Sequence, residues 1–141
     1  MAYTDAQATN NSTRSNKTYS DLNLNFTKNP ATNDVARLTD IEAVKRAVRN
    51  LVLTNEFERP FHPEIGSDIR SLLFENMTPV VEVLLKDRIK ETIDVYEPRA
   101  ELTGIQVFDE IDNNQYRVII NFTVLGSSEG ATITEFLQRL R

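Results

Sequence analysis

Two pairs of carboxylates lie close enough along the chain to share acid–base work: Asp94 with Glu97, and Glu58 with Glu64. Glycoside hydrolysis needs such a pair roughly 5 to 9.5 Å apart, with one member kept protonated by its surroundings. With 21 acidic residues in 141, some pair meets that spacing by chance, and no pattern around either pair announces a desolvated carboxyl or a sugar cleft. His62 is the only histidine, which excludes a multi-histidine metal site, and the absence of cysteine removes a thiolate nucleophile or ligand. No serine has nucleophile-elbow spacing. None of Gly66, Gly104, Gly126 and Gly130 opens a phosphate-cradling loop followed by Lys and Ser or Thr. The sequence therefore predicts no catalytic residues, no metal and no cofactor; the alternative is a lysozyme-like hydrolase working through a carboxylate pair.

The elements that position these groups follow from the patterning. Met1 to Thr18 is rich in Asn, Ser, Thr and Ala and nearly free of large apolar side chains, so residues 1–18 are expected to be a flexible polar tail and 19–141 a single domain. Leu22, Leu24 and Phe26 alternate with polar residues, as in an extended segment. Thr39-Asp40-Ile41-Glu42 reads as a capping box that starts a helix, with Ile41, Val44, Val48, Leu51 and Val52 on its apolar face and Lys45, Arg46 and Arg49 on another. That basic face is solvated or meets an acidic partner. Between Asn55 and Gly66, two prolines and a glycine predict a stiff loop carrying Glu58 and Arg59, with Phe61 plugging the core. Ser67 is the expected N-cap of a short helix.

Thr78-Pro79 starts the longest apolar stripe, Val81, Leu84 or Leu85, Ile89, Ile93 and Tyr96. Pro98 ends that helix near Tyr96 or Glu97, because the residue before a proline is driven out of helical conformation. The period then becomes two: Ile105 and Val107, a turn at Asp112-Asn113-Asn114, then Tyr116, Val118, Ile120, Phe122 and Val124. Residues 131–141 fit a strand or a helix, and a third strand would complete the sheet. The fold class is α+β, about three helices packed on a small antiparallel sheet of three or four strands.

The charge balance, 16 basic against 21 acidic residues, argues against a generic binder of nucleic acid or anionic membrane. Residues 1–25 show no signal-peptide pattern and no apolar run reaches membrane-spanning length, so synthesis and assembly in a cytoplasm are expected.

Three separated blocks carry a resemblance: Arg59-Pro60-Phe61 with Pro63 and Gly66; Leu73-Phe74-Glu75-Asn76-Met77-Thr78-Pro79; and Tyr96-Glu97-Pro98-Arg99 followed by a strand. From Tyr19 to about Val124 the chain resembles the gene-25-type baseplate wedge proteins of T4-like and other contractile phages, which have relatives in type VI secretion baseplates. The resemblance implies a structural subunit of the virion's tail baseplate, present in several copies beside the tail tube or tube-initiator proteins. It would join other wedge proteins and start assembly of the tail sheath protein. It implies that Glu97, Pro98 and Arg99 contact neighbouring wedge proteins, with Arg59 on the stiff loop a further candidate. The last strands, with Tyr116, Val118 and Ile133, become candidates for an edge to which a sheath arm is added; Glu135, Arg139 and Arg141 would guard that edge beforehand. A free-standing regulatory module using Lys45, Arg46 and Arg49 is a further alternative. Arg99→Ala is expected to fold and assemble poorly.

Overall fold

In the computed structural model, residues 19–127 and 130–139 are described; the expected polar tail, residues 1–18, and Arg141 lie outside them. The period-two run after Pro98 becomes a three-stranded antiparallel sheet, ordered β3 (Ala100–Glu110), β4 (Gln115–Val124) and β5 (Gly130–Gln138). Residues 131–138, ambiguous by pattern, are thus strand. Tyr116, Val118, Ile120, Phe122 and Val124 all face inward from β4. On β3 the inward phase slips. Leu102 pairs with Phe122, whereas Ile105 pairs with Ile120, with a bulge between Leu102 and Gly104. The extra residue lets Leu102 and Ile105, of opposite parity, both pack on the core.

One face of the sheet is covered by helices. Helix α1 (Asp40–Leu53) lies against β5 and β4 and buries Val44, Val48, Leu51 and Val52; α3 (Pro79–Tyr96) lies along β3 and buries Val81, Leu85, Ile89 and Ile93. Each such side chain contributes about 1.5–3 kcal/mol by leaving water. Between them, α2 (Ile69–Leu72) inserts Ile69. The α3 start is as expected: the Thr78 hydroxyl accepts from the Val81 amide at 3.4 Å and Pro79 takes the first helical position.

The α1 start differs. Thr39 ends a short strand, β2 (Arg37–Thr39), paired with β1 (Ser20–Leu22), and its side chain makes no cap; the Glu42 carboxylate instead accepts from Lys45 at 3.0 Å. The Asp40 amide donates to the Tyr19 carbonyl at 2.9 Å, and the Tyr19 amide donates to the Asp40 carboxylate at 3.3 Å. A two-stranded ribbon thus replaces the capping box. Ser67 does not cap α2 either. Its buried hydroxyl donates to the Val52 carbonyl at 2.7 Å, and Asp68 occupies the N-cap. Phe61 does not plug the core; it is 95% exposed.

Candidate docking corner and sheet edge

The chain leaves α3 at Tyr96 and turns through Glu97, Pro98 and Arg99 into β3. Glu97 is buried, 6% exposed, and both its oxygens accept from Arg99: Nε to Oε1 at 2.6 Å and Nη2 to Oε2 at 2.9 Å. A bidentate pair fixes both planes and is stronger than a neutral hydrogen bond. Arg99 Nη1 reaches Asp21 on β1 at 3.4 Å, and the guanidinium stands 5.6 Å from the Tyr19 ring centroid. The Tyr19 hydroxyl donates to the Leu125 carbonyl at 3.0 Å, and the Leu125 amide donates to the Arg99 carbonyl at 2.8 Å. Arg99 therefore ties together the end of α3, the N-terminal ribbon and the turn after β4. The Glu97 hydrogen bond raises the Arg99 pKa above its ordinary value against the opposing effect of burial, helped by the Glu97 and Asp21 charges. Glu97, for which the resemblance implies a neighbour's contact, has both oxygens engaged inside the chain.

A groove of about 430 Å³ opens beside this corner, walled by Leu22, Leu24, Ile65 and Tyr96 and flanked by Arg46 and Arg59. The loop carrying Arg59 is held by local bonds. The Phe57 amide donates to the Pro63 carbonyl at 2.8 Å, and the Tyr96 hydroxyl donates to the Glu64 carbonyl at 2.7 Å. The Glu58 carboxylate accepts from the Asn55 side chain at 2.6 Å and its amide at 3.1 Å. Phe57 and Phe61 sit at φ 67° and 72°, a left-handed conformation that bulky residues hold only when the surroundings impose it. A Cβ on Gly66 would collide with the backbone of Asn55 and Glu56, so that position needs glycine for close approach.

The structure brings Glu97, Arg99 and Arg59 to one groove and leaves Pro98 exposed at its corner. It places the other expected contact residues elsewhere. Tyr116 and Val118 are fully buried on β4, which is the central strand, paired on both sides; they cannot present an edge. Ile133 also points into the core, at 8% exposed, but β5 is an outer strand whose far side meets no other strand among the described residues. Of the expected guards, Glu135 and Arg139 are turned away. Glu135 faces the helices and pairs with Arg49 at 2.5 Å, and Arg139 donates to the Glu75 carbonyl and the Asn76 side chain, both at 3.0 Å. Beside β5 is a second hollow of about 240 Å³, walled by Leu53, Ile69, Leu73, Phe136 and Leu137. Tyr19, Asp21 and the apolar walls were not singled out from sequence as partners of the corner, although the Leu22–Leu24 alternation marked their segment.

Three of the four carboxylates in these pairs, Glu58, Glu64 and Glu97, lack the environment of a general acid. A general acid needs a raised pKa, but Glu58 is lowered, first by the Asn55 side chain, and Glu64 is lowered, first by a backbone hydrogen bond and then by His62. Glu97 has both oxygens engaged by Arg99. No group of His, Asp and Glu among the described residues is arranged to hold a metal ion, and no helix among them is long and apolar enough to cross a membrane.

A braced charged corner and an outer strand beside an apolar hollow, on an α+β frame, define a protein whose surfaces suit assembly. Its sequence places it more narrowly. The family model for baseplate wedge protein gp25 matches residues 39–129, and the chain belongs to that family. The baseplate wedge protein gp25 of Enterobacteria phage T4 is 32% identical over 114 residues, which cover 81% of this chain and 86% of that protein. Two solved structures share the fold. A chain described as a candidate tail lysozyme from Geobacter sulfurreducens aligns at TM-score 0.65 and 19% identity, covering 70% of this chain and 89% of its own. A chain of the anti-feeding prophage baseplate aligns at TM-score 0.60 and 22% identity, covering 87% of both.

Proposed function

We propose that this chain, by family a structural baseplate wedge protein of the contractile tail in the virion, joins wedge subunits beside the tail tube and starts sheath assembly by accepting a strand at β5. The observation that carries the strand-addition reading is the side of Gly130–Gln138 that meets no other strand among the described residues, next to the Leu53–Phe136 hollow. An added strand gains main-chain hydrogen bonds along such an edge and places alternate side chains in adjoining pockets. The opposite outer strand, β3, suits this less well. It is bulged and carries Glu101, Asp109 and Glu110, features that discourage pairing. The wedge-joining role falls to the corner around Glu97, Pro98 and Arg99, where local bonds fix a shape before any partner arrives. Repetition around the baseplate ring would multiply each modest contact. The non-enzymatic reading is supported by the family, and by Glu58 and Glu64 being held below their ordinary value while Glu97 is engaged by Arg99.

The test is assembly with Phe136→Glu and Leu53→Glu, two exposed positions in the hollow. Baseplates should form and sheath should fail to polymerise on them, and a reconstruction of normal particles should show a partner strand against residues 130–138. Normal sheath growth on the double variant would remove β5 from the mechanism. Peptidoglycan turnover by the purified chain, abolished by Glu58→Gln, would restore the hydrolase.

A further inference from the structure

The basic residues of α1 are not equivalent. Lys45 pairs with Glu42 and Arg49 with Glu135. Arg46, half-buried, donates to the neutral Asn25 side chain at 3.1 Å and forms no ion pair among the described residues. Arg59, exposed on the braced loop, forms no ion pair among the described residues and flanks the same groove. The two carboxylates lining that groove, Asp21 and Glu97, are already held by Arg99. A chain of formal charge -5 thus places on one concavity two guanidiniums that have no ion pair among the described residues. Between them, Leu22 and Leu24 are 53% and 52% exposed, and Tyr96 is 37% exposed. Guanidinium forks over apolar walls match a carboxylate carried on an apolar-flanked main chain.

We propose that this groove binds an extended acidic segment of a neighbouring protein, with alternating Glu or Asp and Leu-like residues, its carboxylate seated on Arg46 and Arg59. The inference rests on the docking reading of the corner and supplies the partner's chemistry. The loop's bonds to Tyr96 and between Phe57 and Pro63 fix the backbone that carries Arg59, which lowers the ordering cost of binding. Such a contact weakens with salt, because both guanidiniums are reached by solvent.

The probe is a blocked peptide of alternating leucine and glutamate, titrated into the isotope-labelled full chain, with glutamine and lysine peptides of the same length beside it. Amide and guanidinium resonances of Leu22, Leu24, Arg46, Arg59 and Tyr96 should shift with the glutamate peptide alone. Arg59→Gln, an exposed change that leaves folding intact, should weaken binding about tenfold, and added salt should do likewise. Arg59→Lys should restore part of the affinity. Equal binding of the glutamine peptide, unchanged affinity of Arg59→Gln, or shifts produced by inorganic phosphate and not by the glutamate peptide would each overturn the proposal. The titration uses free protein, so its failure leaves the β5 reading standing, and failure of the sheath test leaves this result standing.

Discussion

At the corner, Glu97 and Arg99 satisfy each other and draw in Asp21 and Tyr19, so a change of one side chain leaves others without partners. At β5 the inward side chains are already committed, Ile133 and Leu137 to the core and Glu135 to Arg49, and the side of the strand that meets no other strand among the described residues offers main chain, with Phe136 exposed beside it. In the proposed function, the difference separates two ways of being ready for a partner. The corner presents a shape fixed by charge, in which residue identity is decisive. The strand presents hydrogen-bonding groups common to every residue, and identity matters only in the hollow beside it. Substitutions should therefore fall heavily on the stability of the first region and lightly on that of the second.

Four measurements put this contrast at risk. Arg99→Ala should have the largest effect. It strands a buried carboxylate, and losing one member of a buried pair costs up to about 3 kcal/mol where the partner is itself partly exposed, so urea unfolding should shift clearly. A double replacement of Glu97 by Gln and Arg99 by Met should recover much of the loss; no recovery would place the effect elsewhere. Gly66→Ala should cost about 1–3 kcal/mol through overpacking against Asn55 and Glu56, and in hydrogen exchange it should loosen residues 55–66 while β5 stays protected. Phe136→Glu should move unfolding by less than about 0.5 kcal/mol, as expected at an exposed site. A larger loss would mean that the hollow belongs to the core.

The smallest effect concerns acid. Glu58, Glu64 and Glu110 have folded pKa values below their ordinary value of 4.5. Their contribution is therefore present above that pH and is lost as pH falls through the lowered values. Glu58→Gln should flatten part of the acid limb of the urea midpoint against pH. A steeper limb in that variant would contradict the sign.

Much of the frame could be read from local pattern. The Thr78-Pro79 start, the stripe through Ile89 and Ile93, the stop at Pro98 and the alternation from Tyr116 to Val124 all appear where the sequence predicts them, because each depends on neighbours within a few residues. The misplacements share a different cause. Thr39 lost its cap to a strand that arrives from Ser20, Ser67 turned to Val52, and Phe61 stayed in solvent because its loop is closed by Tyr96 and Pro63. These outcomes depend on residues remote in sequence.

The tetrapeptide Tyr96-Glu97-Pro98-Arg99 shows where the division falls. Its residue types alone required a helix stop and placed opposite charges on either side of a proline, since φ at Pro98 is locked by its ring. Whether those charges face a partner or each other depended on which chain segments closed over them. The fold brought Asp21 and Tyr19 to Arg99 and buried Glu97, and it placed Arg46 and Arg59 nearby without an ion pair among the described residues. Likewise, alternation specified that β4 and β5 are strands, but only the order β3-β4-β5 determined which one has an open side. Periodicity is a property of one segment, whereas an edge or an unpaired charge is defined by what the rest of the chain does or does not bring to it.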